Sequence, residues 1–427
     1  MMFKEYFNDM CFLVKEKINN LFNNFSSTFN FVDLERQIIA LFKEQVSKIL
    51  HNILQELISQ KDTIEKLKVI GMKRAMKFKG LREVTIHLIT GDSFKILSPY
   101  FIKAGTKRGK KKQGPNGKGC HLGLQVFGFL DKYSLNFVDE ISQMSILCPS
   151  AEIARECLAL RGISIQAKTI IKLTKKLGLS GIAKRGQISF SGNEYYEGKT
   201  LVIGIDGGRL RERRAKRGRK KQGLKRQGYH SDWKEPKLFA LYLLDSVGKV
   251  VKDTKPIYDA TMKNHEGCFD LLKKYLTQIP LQDLDRIVFC GDGASWIWND
   301  IKDLCQKMNI PETKVHQVID YTHAKQNLYE MLELLPQNMK NREKVSVQCK
   351  NLLFAGKIDR IRQMLTLLIK GKKQEIMLRK WDNYFNKNKT RMQYSTFKTK
   401  GIPTGSGFVE SAIRRVINMR LKSAGSF

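Results

Sequence analysis

LVIGIDGG, residues 201–208, is a short apolar run that closes on an acid and two glycines. A run of this length bounded by turn residues reads as a buried strand. Further along, KLFALYLLD at 237–245 and Lys249 to Tyr258 are two more strand candidates, joined by the turn-forming Ser246, Val247 and Gly248. Glu266 to Leu276 reads as a helix, RIVFC at 286–290 as a strand ending in Gly291-Asp292, and Val315 to Ile319 as another strand. Three strands in hairpin succession, followed by strand and helix in alternation, predict an α/β fold: a mixed sheet flanked by helices. From His323 to about residue 388 the patterning is wholly helical. An all-α insertion over about 323–400 is therefore expected before the final motif, Gly405 to Lys422.

In a sheet of that order the ends of the first and fourth strands are neighbours, so Asp206 and Asp292 are expected side by side. Each is followed by glycine, which lets the chain turn sharply beside the carboxylate. Glu410, in GSGFVES at 405–411, supplies a third acid in the first turn of a helix, where negative charge is favoured. Phosphodiester chemistry needs an activated oxygen nucleophile and neutralisation of the transition-state charge, and a pair of Mg²⁺ ions supplies both. Mg²⁺ takes hard oxygen ligands, so a few converging carboxylates suffice. A lone Asp-Gly is usually an ordinary turn; three acids in matching positions point to metal. Zinc on Cys305, His316 and His323 fits no standard spacing.

Composition narrows the partners. The chain has 427 residues, enough for about three domains, and 42% are hydrophobic, which excludes wholesale disorder. Lys and Arg number 77 against 41 Asp and Glu, a formal charge of +36, which points to a polyanion. The longest apolar run, Leu238 to Leu244, is seven residues, far short of the ~18 of a membrane span. Lys4 and Glu5 interrupt the N-terminus before a signal-like core develops, so a cytoplasmic, nucleoid-associated protein is expected. The eight cysteines include no C-x-x-C pair and read as reduced thiols.

Ahead of the sheet, apolar residues recur every three or four positions from Phe31 to Ile58, as in an amphipathic helix. Val84, Ile86 and Leu88 alternate, Gly91-Asp92 turns, and Phe94 and Ile96 resume, as in a β-hairpin. Lys103 to Lys118 holds seven basic residues in sixteen with five Gly or Pro, which reads as a basic loop. Ser150 can cap a helix carrying Ile153, Ala154, Cys157 and Leu158 on one face. Gly162 breaks it, and Ser164 can cap a second helix with Ala167, Ile170, Ile171 and Leu177 inward. This is the helix-turn-helix pattern, with Gln166, Lys168, Thr169 and Lys172 outward, although a plain αα-hairpin has the same signature. The net charge favours DNA.

Between Arg209 and Arg226 eleven of eighteen residues are basic, against the single acid Glu212. Because this segment leaves Asp206 directly, Arg209, Arg211, Arg213 and Arg214 are expected to clamp DNA phosphates beside the scissile bond. Arg414, Arg415, Arg420 and Lys422 follow Glu410 as a second basic face, although Arg414 lies one turn from Glu410 and could pair with it. Trp296 and Trp298 could stack on an extruded base or lie in the core.

Taken together, GIDGGRLRERR at 204–214, WKEPKLF at 233–239, CGDGASWIW at 290–298, DYTH at 320–323 and residues 401–427 resemble bacterial insertion-sequence transposases. The resemblance is to those with an RNase H-like DDE core, akin to the Mutator-like group. It implies Asp206, Asp292 and Glu410 as catalytic ligands of two Mg²⁺ or Mn²⁺ ions. Asp320 and His323, matching the family's [C/D]-x-x-H signature, become accessory residues. It also implies double-stranded DNA partners, both terminal inverted repeats and target, and at least a homodimer. The expected domains are a helical region at 1–80, a β-hairpin with basic loop at 81–135, a helix-turn-helix domain at 136–192 and an RNase H-like catalytic domain at 193–427. The alternatives are an RNase H-like nuclease without strand transfer, or an inactive copy that only binds DNA. The latter arises because the chain stops seventeen residues beyond Glu410, inside the resembled motif.

Overall fold

The computed structural model describes residues 2–28, 30–103, 119–190 and 196–422, apart from 217, 220–221 and 224–226. The expected basic loop at 103–118 lies almost wholly outside the described residues. Two compact units are present, Met1–Leu179 and Ser180–Phe427.

The first unit opens with three helices, α1 (Met2–Thr28), α2 (Phe31–Ser59) and α3 (Lys61–Lys73). The hairpin follows as β1 (Met76–His87) and β2 (Ser93–Lys103), with Val84 opposite Ile96 and Ile86 opposite Phe94. Short strands β3 (Gly119–Cys120), β4 (Phe129–Leu130) and β5 (Tyr133–Ser134), with helix α4 (Leu122–Val126) between the first two, complete a mixed sheet ordered β3-β2-β1-β5-β4. Leu54 and Ile58 of α2 pack against Ile86 and Ile96 of the hairpin, which explains why the amphipathic stripe and the alternating strands occur together.

Three helices close the unit: α5 (Leu135–Leu147), α6 (Ala151–Leu160) and α7 (Ala167–Ala183). Ser150 caps α6 by accepting the Ile153 N–H at 3.2 Å. Phe137, Val138 and Ile141 of α5 meet Ala154 and Leu158 of α6 and Ile170 and Leu173 of α7 in one core. Helix α5 has no counterpart in the sequence reading. Two inward assignments are corrected, since Ile153 is 42% and Ile171 56% exposed. The spacings 154/158 and 170/173/177 set the buried stripes, and Ile171 is a full 100° step from Ile170. Ser164 is not the cap of the second helix; that helix starts after Gln166, whose carbonyl accepts the Ile170 N–H at 3.1 Å.

The second unit is built on a mixed sheet of β6 (Thr200–Gly207), β9 (Lys237–Leu244), β10 (Ile257–Thr261), β11 (Arg286–Gly291) and β12 (Val315–Ile319). Its order is β10-β9-β6-β11-β12, with β6, β9 and β10 antiparallel and β6, β11 and β12 parallel. Strand β10 begins later than the sequence pattern implies. Val250 makes only an isolated bridge to Leu244, and Pro256, which has no N–H for a ladder, delays the strand to Ile257. Between β6 and β9 the chain forms a two-stranded ribbon, β7 (Leu210–Ala215) against β8 (Tyr229–Lys234). The ribbon keeps the register of the sheet: Asp206 faces Leu238 and Leu210 faces Lys234.

Helices α8 (His265–Leu276) and α9 (Ser295–Lys307) cover one face of the sheet. The helical stretch after β12 comprises α10 (Tyr321–Leu332), α11 (Arg342–Phe354), α12 (Ile358–Leu368), α13 (Lys372–Trp381) and α14 (Tyr394–Thr399). One apolar cluster runs from Leu201 and Phe289 of the sheet through Leu328 and Leu353 to Trp381 and Phe385. The insertion thus shares the core of the sheet. The last helix, α15 (Gly407–Ile413), continues as a π-helical turn over Arg414–Asn418 and ends in α16 (Met419–Leu421). Among the described residues no helix is long and apolar enough to cross a membrane.

Candidate metal centre

Strands β6 and β11 run parallel with Ile205 beside Gly291, so Asp206, still paired with Leu238 of β9, and Asp292, just past β11, stand at adjacent carboxyl ends. Asp206 Oδ1 accepts its neighbouring Gly207 N–H at 2.6 Å. The turn after β11 is pinned twice: Asp292 Oδ1 accepts the Ala294 N–H, and its carbonyl accepts the Trp298 indole N–H, both at 2.8 Å. A Cβ on Gly293 would lie 2.1 Å from Cε2 of Tyr384, so only glycine lets that ring close over the turn.

Glu410 arrives from the opposite direction. Val409 packs with Leu238 and Ala240 on one face of the sheet, and a Cβ on Gly204 would lie 2.9 Å from the Val409 Cβ. Glycine at 204 therefore admits α15 at close range over β6, the strand that ends in Asp206. The electrostatics register this convergence: burial first, then the charge of Asp292 and, more weakly, that of Glu410 push the Asp206 carboxyl up to about 6, with the Gly207 N–H hydrogen bond and then His323 opposing.

Asp320, His323 and Glu410 form a tighter group, their ligand atoms all within 4.8 Å of one another, and His323 Nε2 stands 3.6 Å from Glu410 Oε1. It is the one cluster of three potential metal ligands at that spacing among the described residues, and neither the triad Asp206, Asp292 and Glu410 nor the zinc set Cys305, His316 and His323 meets it. Chemically its members differ. Asp320 is 1% exposed; its Oδ1 accepts the His323 N–H at 3.0 Å, and its Oδ2 accepts both the backbone N–H and the hydroxyl of Ser406, the latter at 2.7 Å. Burial pushes this carboxyl up, but the Ser406 and His323 hydrogen bonds outweigh it and hold the group below its ordinary value. Asp320 is thus occupied in capping α10 and tying down the 405–406 loop, which orients Glu410. His323 and Glu410 remain partly open to solvent.

The remaining sequence candidates fall in three places. Arg209, Arg211, Arg213 and Arg214 lie at the start of or along the ribbon that leaves β6. Arg414, Arg415 and Arg420 are exposed beyond Glu410; Arg420 Nε donates to the Arg415 carbonyl at 3.0 Å, and the ion-pair partner found for Glu410 is His323. Lys168 and Lys172 are exposed on α7 in the first unit. Trp298 is core, with the Arg391 guanidinium 4.7 Å above its ring. Two features escaped the sequence reading. Lys237, only 8% exposed, holds its ammonium 4.3 Å over Trp296 and 3.2 Å from Glu235. Ser406 is the other, and its only sequence signal is its place between two glycines.

No protein-family model matches the chain, and no curated protein matches it. Among solved structures, it is similar to one described as a Drosophila P element transposase strand transfer complex, at 10% identity and a TM-score of 0.24. The match covers 60% of this chain and 65% of that one, so the chain spans just under two thirds of its neighbour, and at that TM-score the likeness carries no argument about fold or activity.

Proposed function

We propose that this chain is a DNA transposase of the DDE type, with an RNase H-like catalytic unit like those of bacterial insertion-sequence transposases in the Mutator-like group. The observation that carries the reading is the β10-β9-β6-β11-β12 order, in which acids leave two adjacent parallel strands beneath a helix bearing a third acid. Asp206, Asp292 and Glu410 present hard oxygen donors, a fit for Mg²⁺ or Mn²⁺, and the charges of Asp292 and Glu410 add to burial in raising the Asp206 carboxyl. Two such ions, when bound, supply an activated oxygen nucleophile and neutralise charge on the reacting phosphate.

In this reading a water oxygen bonds to phosphorus at the element end while the P–O3′ bond breaks, leaving a 3′-hydroxyl. That hydroxyl attacks a target phosphodiester in a second in-line displacement, releasing a target 3′-hydroxyl. Asp320 positions Glu410 through Ser406, and His323 contacts the reacting phosphate. Arg209, Arg211, Arg213 and Arg214, with Arg414, Arg415 and Arg420, bind flanking phosphates. Lys168 and Lys172 on α7 contribute to recognition of terminal repeats, and the joining of two ends calls for at least two protomers.

The test uses purified full-length protein, Mn²⁺ and a plasmid carrying the DNA that flanks the coding region. Nicking at the element boundary and joined products are expected, and both are lost in D206N, D292N and E410Q. Retained cleavage and joining in D292N would remove Asp292 from the catalytic set. Cleavage without joining would favour a nuclease, and metal-independent binding without nicking a DNA-binding protein.

A further inference from the structure

The ribbon that extends the β6–β9 pair has two chemically different faces. In its antiparallel register Arg211 faces Trp233 and Arg213 faces Ser231, and Tyr229 lies two residues before Ser231 on the same strand, so these five residues share one side. The other side carries Glu212, Arg214, His230, Asp232 and Lys234, and both ion pairs found along the ribbon, Arg214 with Asp232 and Lys234 with Glu212, lie there. One face is therefore internally neutralised, whereas the other carries cations and no acid.

Aromatic rings mark that cationic face. Trp233 is 62% and Tyr229 44% exposed, so both rings are open to a partner. The Arg213 guanidinium lies 4.2 Å from the Tyr229 centroid and that of Arg209 5.2 Å from Trp233, while Arg211 donates to the Ser231 hydroxyl. Guanidinium planes laid on aromatic rings leave the far ring face for a second flat partner and hold positive charge beside it. Alternate residues on a strand are roughly 6.6 Å apart, so the two rings stand about 13 Å from each other on a rigid two-stranded frame.

We propose that this face binds unpaired DNA bases, with Trp233 and Tyr229 as stacking platforms and Arg211 and Arg213 as phosphate contacts. The proposal rests on the chain acting on DNA and deepens that reading: the ribbon starts four residues after Asp206, so it would hold the single-stranded stretch exposed when a duplex end opens. Stacking tolerates any base, whereas the charge supplies salt-dependent attraction.

Full-length protein in EDTA is titrated with fluorescent dT12 and with a 12-base-pair duplex of arbitrary sequence, at several salt concentrations. W233A is expected to weaken dT12 binding by roughly 5- to 150-fold, the range for losing one stacked base, with an unchanged salt slope and unchanged duplex affinity. W233F should retain most of the affinity while losing the part of the fluorescence quenching that dT12 causes through Trp233. R211A should instead lower the salt slope by about 0.7. Failure of wild-type protein to bind dT12, wild-type affinity in W233A, or equal losses on dT12 and duplex would each overturn the proposal. Because no metal or nicking is involved, absent strand transfer with intact dT12 binding would count against the transposase reading alone.

Discussion

Replacing Asp206 with Asn should make the protein more stable at neutral pH while abolishing the proposed DNA cleavage. The folded carboxyl titrates at about 6 against an ordinary value of 3.8, because the fold buries it beside Asp292 and Glu410. A carboxyl raised on folding binds more protons in the native than in the unfolded state, so stability falls as pH rises between those two values. At about 1.36 kcal/mol per pH unit, ionised Asp206 costs the folded state about 3 kcal/mol above pH 6 and nothing below about 3.8. Asn keeps the acceptor for the Gly207 N–H and cannot ionise. All four tryptophans, 233, 296, 298 and 381, belong to the second unit, so urea unfolding followed by tryptophan emission in EDTA reports that unit in the intact protein. D206N should gain about 3 kcal/mol over wild type at pH 8, shrinking towards zero near pH 4. Equal stability at pH 8, or a gain independent of pH, would refute the placement of Asp206 in a buried, like-charged cluster.

Gly204→Ala should force α15 away from β6, since the added methyl falls 2.9 Å from Val409. The expected cost is about 1–3 kcal/mol by tryptophan-monitored unfolding, with activity dropping on the order of 100-fold as Glu410 shifts. Arg185 donates to both oxygens of Asp259 and to the Ala260 carbonyl, and Tyr275 donates to Asp259 at 2.7 Å. R185A should therefore cost about 3–5 kcal/mol by leaving a mostly buried carboxylate without its counter-charge, and R185K should restore little because it lacks the two-pronged fork. Asp320, held below its ordinary value, adds stability that is present above 3.8 and lost as pH falls through its folded value. S406A removes one of its donors, so an acid titration of unfolding free energy should show a smaller loss in the variant than in wild type.

Strand positions were legible where one periodicity dominated. Residues 201–206, 237–244 and 286–290 are largely apolar runs of strand length between turn residues, 315–319 is apolar at three of its five positions, and all four form strands. The stretch 249–258 misled because Val250 and Val251 look like strand residues, while Pro256 decides where a ladder can begin. Helix α5 was missed because its apolar residues at 137, 138 and 141 only make sense against the stripes of α6 and α7. The ribbon was read as a charge run because a count of arginines says nothing about which of them share a side.

The amino-acid sequence by itself determined that the chain has an α/β sheet, a large positive charge, two acids beside glycines at strand ends and a third in the first turn of a helix. Those properties follow from local patterning, which survives without knowledge of neighbours. Only the tertiary structure decided that Gly204 admits the Glu410 helix, that Asp320 is consumed by Ser406 and His323, and that ribbon arginines divide between a paired and an aromatic face. Each depends on residues distant in the chain meeting within a few ångströms, from 16 positions for Arg213 and Tyr229 to 205 for Gly204 and Val409, and such meetings are set by packing and register.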